Sequence, residues 1–195
     1  MSGRPKIFDR DEVLDKAIAV FWKYGYYASS TEILLEHMGI GKSSFYLAFP
    51  GGKRELFELC LERRSDLGLE NMKKNLAKSG NKVLFLKSLF QDVLNPKSER
   101  FKNGCLMGNT VAELSNQDPE LKEKAAFFLQ RLEMFFLEVL RQAKEEGSFS
   151  GKQDPAFLAQ YLITVWNGLN ISVRAYPNPD KLKPILENQL SLLDS

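Results

Sequence analysis

Between Pro119 and Gly147 the chain runs without a single glycine or proline. Within that stretch Leu121, Ala125, Phe128, Leu129, Leu132, Phe135, Phe136, Val139, Leu140 and Ala143 recur at three- and four-residue spacings, the period of one helix face. Phe127, Met134 and Leu137 widen the stripe beyond one face. A helix this broadly apolar must be packed on more than one side, so the chain has to supply other helices around it. The remaining sequence does so. Val, Ile and Thr never gather into alternating runs, so no strand is expected. Breakers divide the chain into about nine helical pieces, near 10–24, 29–38, 42–49, 53–76, 82–94, 103–115, 119–146, 154–175 and 179–193. The expected class is all-α.

Composition narrows the function. With 195 residues, 44% of them hydrophobic and 27% charged, the chain can bury a core without disulfides or metals. Two cysteines and one histidine, His37, supply neither a zinc set nor a disulfide scaffold. A Ser-His-Asp or Cys-His constellation would have to use His37 itself, which reads as a surface residue or a phosphate neighbour. No cofactor, metal or catalytic set is expected. The polar start, Met1 to Lys6, has no apolar stretch behind it, and no 18-residue apolar run occurs, so a cytoplasmic protein without a membrane partner is expected. The net charge of +2 means that an anionic partner must be met by a local patch.

Such a patch is offered by the first 54 residues, where eight Lys or Arg face six Asp or Glu. Asp9 with Glu12, and Ser29 with Glu32, have capping-box spacing and start the first two helices. Met38-Gly39-Ile40-Gly41 is a four-residue turn, with Ile40 as a plug, leading into a short third helix. That helix carries Lys42, Ser43, Ser44 and Tyr46 near its leading end, the end a recognition helix aims into the major groove. Arg4 and Lys6 lie in an arm that could reach the duplex, and Lys53 opens the fourth helix, where an ammonium suits a phosphate. Gly39 to Ser43 has the look of a phosphate-loop tail, but Glu36 stands where that motif needs its first glycine and an amphipathic helix precedes it, so nucleotide binding is rejected. No linker separates residues 1–52, a helix-turn-helix domain, from residues 53–195, an effector-binding and dimerisation domain. A bridging helix joins them.

Phe21, Gly25-Tyr26, Ser29-Ser30, Met38 to Tyr46, Phe49, Lys53 and Leu56-Phe57 together resemble the TetR family of bacterial transcriptional regulators, and Gly104 to Asn109 followed by Glu113 is similar to a segment from one branch of it. The resemblance is specific over about residues 9–60. It implies a homodimer that binds a palindromic operator duplex, usually represses, and lets go when a small effector binds. It also implies base-edge and phosphate contacts for Lys42, Ser43 and Ser44, and phosphate contacts for Tyr46, for Ser29 or Ser30, and for Lys53. Gly41 departs from the usual Ser or Thr cap, and Ser43 from a frequent Gly.

For the C-terminal part, Phe90, Met107, Phe127, Phe128, Met134, Tyr161 and Trp166 are candidate walls of an effector pocket for an apolar ligand, with Asn109, Asn167, Asn170 and Arg174 as orienting polar groups. Taken one at a time, the aromatic residues read more simply as core. Cys105 follows Gly104 near a helix start and is either a small buried residue or an electrophile sensor, and the sensor alternative requires that Cys105→Ser lose release of DNA by electrophiles. Rival classes are a helical enzyme with an aromatic cavity and a protein-binding adaptor. The dimer seam is expected on the last two helices, from Leu158, Tyr161, Leu162, Val165 and Leu169 on one and Leu182, Ile185, Leu186, Gln189, Leu190 and Leu193 on the other.

Overall fold

The computed structural model describes residues 8–176 and 178–194, so Arg4 and Lys6 lie outside the described residues. Among the described residues there are ten α-helices, one 3-10 turn and no strand. The helices are α1 (Arg10–Ala28), α2 (Thr31–Met38), α3 (Lys42–Ala48), α4 (Gly52–Leu76), α5 (Lys82–Val93), α6 (Glu99–Asn103), α7 (Leu106–Leu114), α8 (Pro119–Glu145), α9 (Pro155–Ala175) and α10 (Pro179–Leu190), with the 3-10 turn at Ser191–Leu193.

The local signals act largely where expected. Asp9 accepts from the backbone N–H of Asp11 and Glu12 and starts α1. Gly25, at φ 83°, interrupts α1 and leaves a last turn from Tyr26 to Ala28. Two boundaries differ. The cap of α2 is Ser30, whose hydroxyl accepts from Ile33, and not Ser29. The helix expected over 103–115 starts only at Leu106, because Gly104 turns back at φ 72°, and the short α6 ahead of it, not expected from the sequence, raises the count from about nine to ten. Gly104 is fixed by a close approach as well as by its backbone: a Cβ there would stand 2.8 Å from the Asn170 carbonyl oxygen.

The buried side chains form two clusters threaded by α8. The first joins Val13, Ala17, Phe21, Leu34, Met38, Phe45, Phe49, Phe57 and Leu61 from α1 to α4 with Leu106, Leu114, Leu121, Ala125 and Phe128 from α7 and the leading part of α8. The second gathers α5, the trailing part of α8, α9 and α10 around Phe90, Phe136 and Trp166. Packing is therefore continuous across residue 52, and the leading helices share a core with α7 and α8.

The seam expected on α9 and α10 is corrected by the same packing. Leu158, Leu162, Val165 and Leu169 are buried within the chain's own second cluster, as are Leu182, Leu186, Leu190 and Leu193, while the Tyr161 hydroxyl donates to the Gln189 carbonyl. The side chains left outward on α9 are Phe157, Gln160, Thr164, Ile171 and Ala175, with Gly168 in line between them, and Ile185 projects from α10. None of the described helices is long and apolar enough to cross a membrane.

Phe136 is fully buried, with ring centroids of Phe90 at 5.7 Å and Trp166 at 6.2 Å. Phe136→Ala should lower stability by about 3–5 kcal/mol, read as a lower urea midpoint, because the cavity it leaves is bounded by three helices.

Candidate nucleic-acid interface and its coupled cavity

The corner between α2 and α3 is built on glycine and phenylalanine. Gly39 takes the left-handed conformation (φ 70°, ψ 28°), its N–H bonding back to the Leu35 carbonyl at 3.0 Å, and so ends α2. Ile40 packs against the first cluster as the expected plug. Phe45 and Phe49, one turn apart and fully buried, hold the inner face of α3. Helical geometry then turns Lys42, Ser43, Tyr46 and Leu47 outward, with Tyr46 46% and Leu47 75% exposed. Ser44 is partly buried on the flank. Gly41 offers α3 no side-chain cap. Arg10, at the start of α1, lies over the Phe49 ring at 5.6 Å and adds a cation that sequence patterning did not single out.

Two expected phosphate contacts are placed differently. Ser29 is fully buried and its hydroxyl donates to the Gly25 carbonyl, which leaves Ser30 as the serine near the surface. Lys53 folds inward: its Nζ donates to the Tyr26 carbonyl at 2.9 Å and lies 4.4 Å from the Tyr26 ring centroid. Burial lowers the Lys53 pKa below the ordinary lysine value, an effect partly offset by the Glu113 carboxylate. His37 is exposed and bonds to the Ile33 carbonyl of its own helix.

Glu113 is the residue that ties this corner to the rest. Its two carboxylate oxygens accept from the Tyr26 N–H at 3.0 Å and the Tyr27 N–H at 2.8 Å, the amides freed where Gly25 breaks α1. The fit is tight, since a Cβ on Gly25 would meet a Glu113 oxygen at 2.7 Å. Nearby, the Trp22 indole N–H donates to the Gly104 carbonyl at 3.0 Å. Arg63 of α4 bridges to Asp15 at 2.8 Å and Asp11 at 3.0 Å on α1. Hydrogen bonding to Arg63 is the largest cause holding the Asp15 carboxyl below its usual range. Arg54 joins α4 to Asp118 and Glu120 at the start of α8.

Behind this junction lies a cavity of about 60 Å³, bounded by Trp22 of α1, by Arg64, Ser65, Gly68, Leu69 and Met72 of α4, by Arg100 of α6, by Cys105, Leu106 and Met107, by Phe128, Leu129 and Leu132 of α8, and by Trp166 of α9. Of the pocket candidates, Met107, Phe128 and Trp166 are brought together here. The others are not. Phe90 is sealed in the second cluster against Phe136 and Trp166. Phe127 and Met134 are 55% and 58% exposed on the far side of α8, and Tyr161 is engaged with Gln189. Asn109 accepts from Arg174 at 3.2 Å and donates to the Asn103 carbonyl, which braces the α6–α7 turn against α9, whereas Asn170 donates to the Trp166 carbonyl within α9 itself. Asn167 stands beside Gly108, and its buried carbonyl oxygen has no partner. Cys105 is buried within the first cluster, and the sensor alternative is not favoured. The residues that sequence reasoning missed are Trp22, Arg64 and Arg100. Arg64 did carry a signal, for it follows Phe57 and Leu61 on the inward stripe of α4, where an arginine is out of place.

With this geometry in place, comparison with known proteins is informative. Residues 13–60 match the bacterial regulatory proteins of the tetR family, and residues 86–187 match the tetracyclin repressor-like C-terminal domain. The HTH-type transcriptional regulator YezE of Bacillus subtilis is 32% identical over 98% of this chain and 100% of its own length. The HTH-type transcriptional repressor ComR of Escherichia coli is 32% identical over 97% of this chain and 91% of its own. Among solved structures, a cysteine mutant of the TetR family transcriptional regulator CifR in complex with a 26-bp operator duplex superposes with a TM-score of 0.83 at 26% identity, covering 96% of this chain and 98% of that one.

Glu113→Ala leaves two amides without their carboxylate and should cost about 1–3 kcal/mol. Gly25→Ala should cost about 1–3 kcal/mol for a backbone at positive φ with extended ψ, which essentially only glycine adopts, plus the collision with Glu113. Because Glu113→Ala removes the colliding group, the double variant should fall short of additivity by about 0.5 kcal/mol or more in urea unfolding.

Proposed function

Because this chain belongs to the TetR family of bacterial transcriptional regulators, we propose that it grips a palindromic operator as a homodimer and releases it when a small molecule occupies the cavity between α4, α7 and α8. The observation that carries the reading is the combination of an outward Lys42, Ser43 and Tyr46 on a helix anchored by Phe45 and Phe49 with the Glu113 clamp, which links that corner to the cavity-lining segment. In this reading residues 1–52 read DNA and residues 53–195 sense and dimerise. Lys42, Ser43 and Ser44 contact base edges and adjacent phosphates. Tyr46, Ser30 and Arg4 hold the backbone. Lys53 joins them only after leaving the Tyr26 carbonyl. The protein works in the cytoplasm, without catalysis or a cofactor, and as a repressor, the role printed for its relative ComR.

Dimerisation follows from the outward stripe of α9. Phe157 and Ile171 are large exposed apolar side chains, and Gly168 lies between them in the helix interior. A glycine there costs roughly 1 kcal/mol relative to alanine in an exposed helix. No atom lies within 4 Å of a Cβ built on Gly168, so nothing inside the chain demands it. A twin helix approaching closely at that point gives the glycine a reason.

The mechanism rests on differential affinity. A ligand that binds both arrangements equally shifts nothing, so the effector must favour an arrangement in which the two copies of α3 no longer match the groove spacing. The cavity holds about 60 Å³ and shares Trp22, Arg64, Arg100 and Trp166 with the broader groove beside it, so an organic ligand either extends into that groove or pushes the cavity walls apart. Those walls include Trp22 of α1 and the middle of α4, which connect directly to the DNA-reading corner.

Selection of bound duplexes from a random pool should enrich palindromes with half-sites about 34–36 Å apart, or a small multiple of that. Lys42→Ala and Tyr46→Ala should weaken binding, and affinity should fall steeply with salt. Failure to enrich any duplex, or salt-insensitive binding, would overturn the reading. Gly168→Leu should keep its helical circular dichroism, appear as a monomer in light scattering, and lose operator affinity.

A further inference from the structure

Arg64 and Arg100 face the cavity without an acid. Arg54, Arg63 and Arg131 each reach a carboxylate, and Arg174 reaches Asn109. Among the described residues, neither Arg64 nor Arg100 makes an ion pair or a side-chain hydrogen bond, although both line the cavity and the broader groove that opens beside it. Each lies over a tryptophan ring instead, Arg64 at 4.7 Å from the Trp22 ring centroid and Arg100 at 4.5 Å from that of Trp166. A cation–π contact occupies none of a guanidinium's five N–H donors, so they stay free for an oxygen acceptor. A third donor belongs to the same wall: the Trp166 indole N–H is buried and has no partner.

Such an arrangement is unfavourable as it stands. Burial is the largest cause lowering the pKa of both arginines; for Arg64 the nearby Arg100 lowers it further, and Cys105 opposes the shift at each without cancelling it. The acids on the groove do not resolve this. Glu99 is bound to Lys102 and Asn103, and Asp92 acts on Arg100 only at a distance. Two half-buried like charges without a counter-ion are costly to keep, and fully paired they become assets. Deeper in the cavity the walls turn apolar, with Leu69, Met107, Phe128, Leu129 and Leu132.

Building on the regulator reading above, we propose that the effector is an amphipathic oxyanion: a carboxylate, sulfonate or phosphate head held by Arg64 and Arg100, with an apolar body seated against Met107 and Phe128. This departs from the purely apolar ligand expected from the aromatic composition. Because Arg64 and the Trp22 beneath it belong to α4 and α1, the head group would act on the two helices that carry the DNA-reading corner.

Three probes with one body and different heads test the idea: phenylbutyrate, phenylbutanol and phenylbutylamine. Binding is read from the quenching of Trp22 and Trp166 and from the thermal midpoint of the dimer. The acid should bind at least tenfold more tightly than the alcohol or the amine. In Arg64→Met and in Arg100→Met that preference should shrink to less than threefold while alcohol binding is retained. Circular dichroism confirms that each variant is folded, and Arg→Gln at the same positions serves if a Met variant is not. An acid that fails to bind, an alcohol or amine that binds as well, or a preference that survives both substitutions overturns the proposal. Operator binding without any probe, measured on the same samples, tests the regulator reading separately. Inorganic sulfate added alone should raise the thermal midpoint of the parent protein more than that of either variant if the head group suffices, and equal shifts count against the arginine pair.

Discussion

The carboxylate of Glu113, closed on the backbone amides of Tyr26 and Tyr27, is the contact on which the working arrangement depends. It satisfies donors that Gly25 frees by leaving the helical path, and it does so from α7, a helix otherwise committed to the cavity and to α8. The Tyr26 carbonyl in turn holds Lys53 at the start of the bridging helix. One residue of backbone is thus gripped from both sides, by an acid from α7 and a base from α4. A displacement of α7 cannot occur without disturbing the turn between α1 and α2, and with it the seat of α3.

The core makes the same connection in apolar terms. Phe21 packs edge-on against Phe57 at 4.7 Å, and the cluster continues without interruption into Leu106, Leu114 and Leu121. A DNA-reading unit that shared no core with its sensor could tilt freely and transmit nothing. Here close packing converts a local expansion of the cavity into movement of neighbouring helices, because packed interiors deform in discrete steps and not continuously.

Charge distribution divides along functional lines. Arg54 and Arg63 are neutralised by acids on α8 and α1 and brace the bridging helix on both sides. Arg64, adjacent in sequence to Arg63, points the other way, lies over the Trp22 ring and feels the opposing fields of Arg100 and Cys105. Two consecutive arginines on one helix therefore serve opposite ends, one structural and one held in reserve for a ligand. The surface of α9 shows a comparable economy. Its long apolar side chains satisfy the chain's own core, and the outward stripe keeps only Phe157 and Ile171 around a bare Gly168.

The sequence by itself determined the class, the order of most helices and the exposed corner between α2 and α3. Asp9, Gly25, Gly39, Pro119 and Pro155 act through their own backbone chemistry, and the spacing of Phe45 and Phe49 fixes which way Lys42 and Tyr46 face. Local rules suffice for such features because their causes lie within a turn or two of helix. The tertiary structure alone decided the rest. Capping-box spacing with Glu32 points to Ser29, and only packing buries it and leaves the cap to Ser30. Leu158 to Leu169 read equally well as a seam or a core, since a helical period shows that a stripe is buried but not by what. Phe127 and Phe128 differ by about 100° around α8, enough to leave one exposed on the far side of the helix and put the other in the cavity, and composition cannot tell them apart. The pairing of Glu113 with Tyr26, and the meeting of Arg64 with Arg100, join residues far apart along the chain. No local pattern encodes such meetings, because they arise from how whole helices come to rest on one another.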